Sequence, residues 1–139
     1  MAQTTPIFLS IDDVLEFHAE QIADFGGDPA VRDLQLLESA LAQPQQMFAG
    51  EFLHKDLAEM AAAYLFHIVQ NHPFVDGNKR TGIHSAAVFL HLNDVPVALP
   101  TESTEKLVLD VATGKARKSE AAEYFRRLMR EQGYWTNAT

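Results

Sequence analysis

Apolar residues recur along this chain at intervals of three and four, the spacing of one face of an α-helix, and the pattern breaks only at short polar or glycine-containing stretches. Ile11, Val14, Leu15, His18, Ile22 and Phe25 make the first such face. Ser10, with Asp13 three residues on, opens it as a capping box, and Gly26-Gly27 closes it. Asp33 is placed to cap a second helix carrying Leu34, Leu37, Ala40 and Leu41, which Pro44 ends. Asp56 and Glu59 open a third, with Leu57, Met60, Ala61, Tyr64, Leu65 and Ile68 on its face, running to about Gln70. A fourth runs from near Asn78 to near Asn93; it is apolar nearly all round and is expected at the centre. After an extended linker, Val95 to Leu99, a fifth helix covers roughly Thr104 to Thr113. A sixth covers roughly Glu120 to Gln132, capped by Ser119, ended by Gly133, with Ala122, Phe125, Leu128 and Met129 on its buried face. Between the second and third helices, Gln45 to Lys55 reads as a loop or short hairpin, with Phe48 and Phe52 as anchors. The expectation is an all-α fold of six helices in a single domain over residues 1–133, with a loose tail at 134–139 and any β-structure confined to 45–55.

Length and composition narrow this picture. A chain of 139 residues suits one domain and can bury roughly two-thirds of its unfolded surface. With no cysteine there is neither a disulfide nor a thiolate metal site. Met1 to Ser10 has no basic residue and no long apolar run, so no signal peptide is read there. No stretch approaches the roughly 18 apolar residues of a membrane span, and the cytoplasm is the expected location. The net charge of −8 argues against a general nucleic-acid binder. Its distribution is more informative. Up to Pro100 there are only four cations, Arg32, Lys55, Lys79 and Arg80, against 13 acids. Two of those four are adjacent.

That pair lies in the one stretch that departs from core-building. His72 to Arg80 gathers His, Asp, Asn, Lys and Arg within nine residues, in a loop that leads into a helix. Pro73 disfavours helix at His72, and Gly77 permits a tight bend. A helix N-terminus offers unpaired N–H groups and the positive end of the dipole, which suits phosphate. Lys79 and Arg80 in the first turn each cost about 0.3–1 kcal/mol there unless an anion offsets them. His72 is the group whose unperturbed pKa lies near neutrality, and it can take a proton from an attacking hydroxyl. Asp76 can hold a Mg²⁺ ion bridging nucleotide phosphates, and Asn78 can orient a phosphate or cap the helix. Phe74 is placed to pin the loop to the core. A base, a metal ligand and an anion cradle are the parts of phosphoryl or nucleotidyl transfer.

The segment His72-Pro73-Phe74-Val75-Asp76-Gly77-Asn78-Lys79-Arg80-Thr81 resembles the Fic/Doc motif, whose Fic form reads H-x-F-x-[D/E]-G-N-G-R-x-x-R. Lys79 stands at the second Gly of that form and Ile83 at its final Arg; both departures are those of the Doc ("death on curing") branch. The resemblance extends to Ile11–Gly27, to Arg32-Asp33 with Leu36 to Ala40, and to Val111-Ala112-Thr113-Gly114. It implies the compact all-α Fic fold and a toxin of a toxin–antitoxin pair. It also implies a kinase that uses ATP and Mg²⁺ to phosphorylate a threonine hydroxyl of translation elongation factor Tu. By position, His72 is the implied general base, and Asp76 binds Mg²⁺ or aligns the hydroxyl. Asn78, Lys79 and Arg80 hold the nucleotide phosphates, and Gly77 counts among the nucleotide-binding positions. Gln45 to Lys55 corresponds to a flap that lines up the target segment by strand pairing.

Lys79 has a physical reading of its own. It fills space that Gly leaves open and adds charge, favouring an ATP placement that presents the γ- rather than the α-phosphate. Two alternatives stay open from the residues themselves: AMP transfer to a protein hydroxyl, and a catalytically silent module that works by binding. Inhibition in cis by the family's [S/T]-x-x-x-E-[G/N] helix is not expected, because no Glu is followed by Gly or Asn. A separate Phd-like antitoxin is the implied partner. His18, on an apolar face, reads as a hydrogen-bonded core residue. His67, His72, His84 and His91 match no metal-ligand spacing. The six cations between Lys115 and Arg130 read as a solvated helix face, or as a docking surface for an acidic partner.

Overall fold

Three helices begin at side-chain caps that the sequence announces. The computed structural model describes residues 5–134; the remainder of the expected tail, 135–139, lies outside the described residues. In α1 (Ile11–Phe25) the Ser10 hydroxyl accepts the Asp13 N–H at 3.1 Å, and the Asp13 carboxylate accepts the Ser10 N–H at 2.9 Å. Asp33 caps α2 (Leu34–Ala42) through the Leu36 N–H at 3.1 Å. Asp56 caps α3 (Leu57–Asn71) through the Glu59 N–H at 2.8 Å. Each satisfies a donor that the helix leaves open, worth about 1 kcal/mol. α4 spans Asn78–Leu92, α5 Thr101–Ala112 and α6 Lys118–Glu131.

Several boundaries differ from expectation. α2 stops at Ala42, and Pro44 sits inside a single 3-10 turn, Gln43–Gln45. α5 starts at Thr101, immediately after Pro100. Ser119 does not cap α6. It lies inside the helix, and the Glu120 carboxylate reaches back to the Arg117 N–H at 3.0 Å, which satisfies the start without a hydroxyl.

The central helix is α3, not α4. Ala58, Ala61, Ala62, Ala63, Tyr64, Leu65 and Ile68 of α3 are fully buried, and its small side chains admit neighbours on several sides. α4 comes close at Gly82, where a Cβ would lie 3.0 Å from Val69 Cγ2 and 3.4 Å from the Leu65 carbonyl oxygen. α4 keeps a polar first turn and an exposed Leu92, so it lies against the core rather than within it. Tyr64 also ties down the chain before α1, its hydroxyl accepting the Leu9 N–H at 2.9 Å. Burial, helped by Asp13 and opposed by the Leu9 hydrogen bond, pushes this phenol up to about 12.

The β-structure is confined to the expected segment. β1 (Met47–Phe48) pairs antiparallel with β2 (Glu51–Phe52), Met47 facing Phe52 and Phe48 facing Glu51. Ala49 and Gly50, at φ 54° and 82°, make the left-handed two-residue turn that suits the twist of a hairpin. Only one of the two expected anchors serves. Phe52 packs edge-on against Phe8 with centroids 5.6 Å apart, whereas Phe48 is 75% exposed. The register explains it: the two phenylalanines lie on opposite faces of the ribbon.

Candidate active site

α3 ends at His72, which adopts a left-handed conformation (φ 51°, ψ 55°) and turns the chain into the loop before α4. Phe74 is fully buried and stacks on the His18 ring, centroids 3.7 Å apart and planes 6° from parallel. His18 is itself buried, and its Nε2 donates to the Asp76 carbonyl at 2.8 Å, which fixes the tautomer. Asn78 closes the loop: its Oδ1 accepts the Phe74 N–H at 3.0 Å, and its Nδ2 donates to the Phe74 carbonyl at 2.9 Å. The Asn78 side chain is therefore occupied as a clamp, and what it can offer a phosphate is its backbone N–H. Gly77 has φ 84°, and a Cβ there would meet Ile22 Cδ1 at 3.3 Å and His18 Cδ2 at 3.4 Å, so the position admits no side chain without displacement.

Across the loop runs a second segment, residues 28–33, zipped to it by backbone bonds. The Val75 N–H donates to the Ala30 carbonyl at 3.1 Å, and the Arg32 and Asp33 N–H groups donate to the Pro73 carbonyl at 2.7 and 3.0 Å. The Asp28 N–H donates to Asp76 Oδ2 at 2.8 Å. The other Asp76 oxygen has no hydrogen-bond partner among the described residues. Arg32 reaches the end of α3, Nε to the His72 carbonyl at 2.7 Å and Nη2 to the Asn71 carbonyl at 3.0 Å.

The start of α4 is left open. Gly77 carries no side chain to cap it, and the first internal bond runs from the Thr81 N–H to the Gly77 carbonyl at 2.9 Å. The N–H groups of Asn78, Lys79 and Arg80 have no partner among the described residues, and Lys79 and Arg80 make no ion pair there. Arg80 lies over the exposed Phe25 ring at 4.1 Å from its centroid. A cleft of about 590 Å³ opens above this helix start. His72, Asp76, Lys79 and Arg80 line one side; Thr104, Glu105, Val108 and Leu109 of α5 line the other. All the residues expected to carry chemistry thus share one cavity.

Comparison with known proteins agrees with the geometry. A family model described as the Fic/DOC family matches residues 8–90. Toxin Doc of Mycolicibacterium smegmatis is 43% identical over 108 residues, covering 76% of this chain and 81% of that protein. A protein of Escherichia phage P1 named Protein kinase doc is 34% identical over 120 residues, covering 86% of this chain and 94% of its own length. The chain belongs to the Fic/Doc family. Both relatives are Doc proteins, and this chain is a Doc-type toxin of that family. The matched span, residues 8–90, includes the whole loop and most of α4.

Away from the Fic/Doc motif, the basic segment differs from a simple solvated face. Lys118 turns inward, its Nζ 3.0 Å from His54 Nε2 and 3.2 Å from His67 Nε2. Both imidazoles accept from the ammonium and so are neutral. Burial, then Lys118, then His54 push His67 down to about 4; burial and Lys118 lower His54 as well. Arg126 bridges Asp56 at 3.2 Å and Glu59 at 2.9 Å, and Arg130 meets Glu123 at 2.7 Å. Among the described residues no helix is long and apolar enough to cross a membrane.

Sequence reasoning missed Arg32 and Asp28 as parts of the site. Neither carries a local signal: one contributes a side chain to carbonyls about forty positions away, the other only a backbone N–H.

Proposed function

We propose that this Doc-type toxin transfers the γ-phosphate of ATP to a protein threonine hydroxyl, with elongation factor Tu as target, in the cytoplasm, and that a Phd-like antitoxin restrains it. The observation that carries the reading is the open N-terminus of α4: three N–H groups without a hydrogen-bond partner and two cations without an ion pair among the described residues, with His72 and Asp76 on the same cleft. A triphosphate would supply the missing cap and the missing countercharge together. The kinase reading draws further support from the name of the phage relative, which matches along 94% of its length.

The roles follow from position. His72 takes the hydroxyl proton as the oxygen attacks the γ-phosphorus. The bond to the β,γ-bridging oxygen breaks, and ADP leaves. The backbone N–H groups of Asn78, Lys79 and Arg80, with the latter two side chains, stabilise the charge on the phosphates. Gly77 leaves them room. Asp76 is the residue that would hold Mg²⁺. One carboxylate oxygen is tied by Asp28 and the other is open, which suits a cation that binds one or two carboxylates and keeps its remaining contacts for water and phosphate. Bound there, Mg²⁺ would neutralise charge on the triphosphate.

The test is transfer from γ-labelled and, separately, α-labelled ATP in a cell extract. Label on a band of the size of elongation factor Tu from the γ position alone is expected. Label from the α position alone would establish AMP transfer instead, and growth arrest that survives His72→Ala would establish a binding module. Growth arrest on expression alone, relieved by a co-expressed antitoxin, is the expected cellular outcome.

A further inference from the structure

His72 is not glycine, yet it sits in the left-handed region that residues with a Cβ avoid. Something must hold it there. The two peptide planes that flank its Cα carry the carbonyls of Asn71 and His72, and the angle between those planes is set by the φ and ψ of His72 itself. Arg32 grips both: Nε holds one carbonyl at 2.7 Å and Nη2 the other at 3.0 Å. A guanidinium is planar and rigid, so a fork on both carbonyls fixes their relative orientation, and with it the direction in which the His72 side chain leaves the backbone. The next carbonyl, that of Pro73, is held by the Arg32 and Asp33 N–H groups. α3 has no basic residue in its own last turn, so Arg32 also supplies the cation that the end of this helix favours. Arg32 is not part of the cleft wall and does not reach the nucleotide side of the site.

We infer that Arg32 is a positioning residue for His72, acting on the base through its backbone. The inference rests on the reading of His72 as general base. An ammonium cannot reproduce the fork, so lysine should serve poorly in its place.

The test compares the full chain with Arg32→Met, Arg32→Lys and His72→Ala. Three quantities are read: the rate of label transfer from γ-labelled ATP, the stoichiometry and affinity of ATP binding by calorimetry, and the thermal midpoint. A misplaced catalytic group costs up to about 100-fold, so Arg32→Met is expected to slow transfer roughly 10- to 100-fold. ATP affinity should stay within about two-fold and the binding stoichiometry should be unchanged, while Arg32→Lys recovers only part of the rate. If Arg32→Met transfers at the parental rate while His72→Ala is inactive, the inference is overturned and the base reading stands. If ATP stoichiometry falls in proportion to the rate, Arg32 only maintains the fold, and the inference is again overturned. If His72→Ala transfers normally, the base reading itself fails and takes this inference with it. Should Arg32→Met show no cooperative thermal transition, Arg32→Lys decides on the same readouts, and a parental rate there overturns the inference.

Discussion

α3 and α4 are both fifteen-residue helices, and they pack against one another, yet they begin in opposite ways. α3 is completed from within the chain. Asp56 caps it, Glu59 places an acid in its first turn, and Arg126 reaches across from α6 to both. α4 begins at a bare glycine, carries Lys79 and Arg80 in its first turn, and has no side-chain cap. One start serves the fold. The other is electrostatically unfinished, and a bound anion would complete it. Local stability is given up where the chemistry is expected, and regained at a site that has none.

The contrast predicts that variants at the α4 start change activity and spare stability, while variants at the α3 start do the reverse. The largest effect is expected at the loop before α4. His72→Ala should lower phosphate transfer by about 10²- to 10⁴-fold, the usual contribution of a general base. Its thermal midpoint should not fall; a clear drop in calorimetry would mean that this loop, too, serves the fold.

Next comes Asp56→Ala, which removes the α3 cap and a partner of Arg126. It should cost about 1–2 kcal/mol in urea unfolding while ATP affinity holds. An affinity loss would break the separation between the two starts.

The pH dependence probes the flank of α3, where Lys118 holds the two imidazoles. His67 lies at about 4 in the folded chain, against an ordinary 6.5. Between those values the unfolded chain binds the proton first, so stability is complete above about pH 6.5 and is lost as pH falls toward 4. His54 adds in the same direction. Thermal midpoints taken from pH 7 to pH 4 should fall, and His67→Gln, which can still accept from Lys118, should flatten part of that slope. An unchanged slope would show that other groups govern acid sensitivity.

The smallest effect is the most diagnostic. Lys79→Ala should raise the stability of the nucleotide-free protein by about 0.3–1 kcal/mol, because it relieves a cation at a helix N-terminus. The same variant should weaken ATP binding. Loss of stability in denaturant titrations would mean that Lys79 has a structural partner, and that the start of α4 is not open.

What could be read from the chain tracks the range of each interaction. The caps at Ser10, Asp33 and Asp56 were legible because each acts on an N–H three residues away. The residues from His72 to Arg80 were legible as a candidate site because type, spacing and a helix start coincide within nine positions. The clamp role of Asn78 was not, since a side chain that can bond a phosphate can equally bond the backbone of Phe74, and only the folded loop selects between them. Nor was Phe48, whose exposure follows from hairpin register rather than from its hydrophobicity. The fourth helix looked central because its composition is apolar, but burial is decided by which helix has neighbours on several sides. The alanines of α3 allow that approach and the polar first turn of α4 does not.

The sequence by itself determined six helices, the caps of the first three, the one segment that holds the hairpin, and the cluster of polar residues between His72 and Arg80. Each depends on neighbours within a turn or two of the chain. Only the tertiary structure decided that Arg32 grips the backbone on both sides of His72, that Asp28 holds Asp76, and that Lys118 turns away from water to meet His54 and His67. Those contacts join residues 39 to 64 positions apart. A donor so far from its acceptor leaves no periodicity in the sequence; it is chosen when the helices pack.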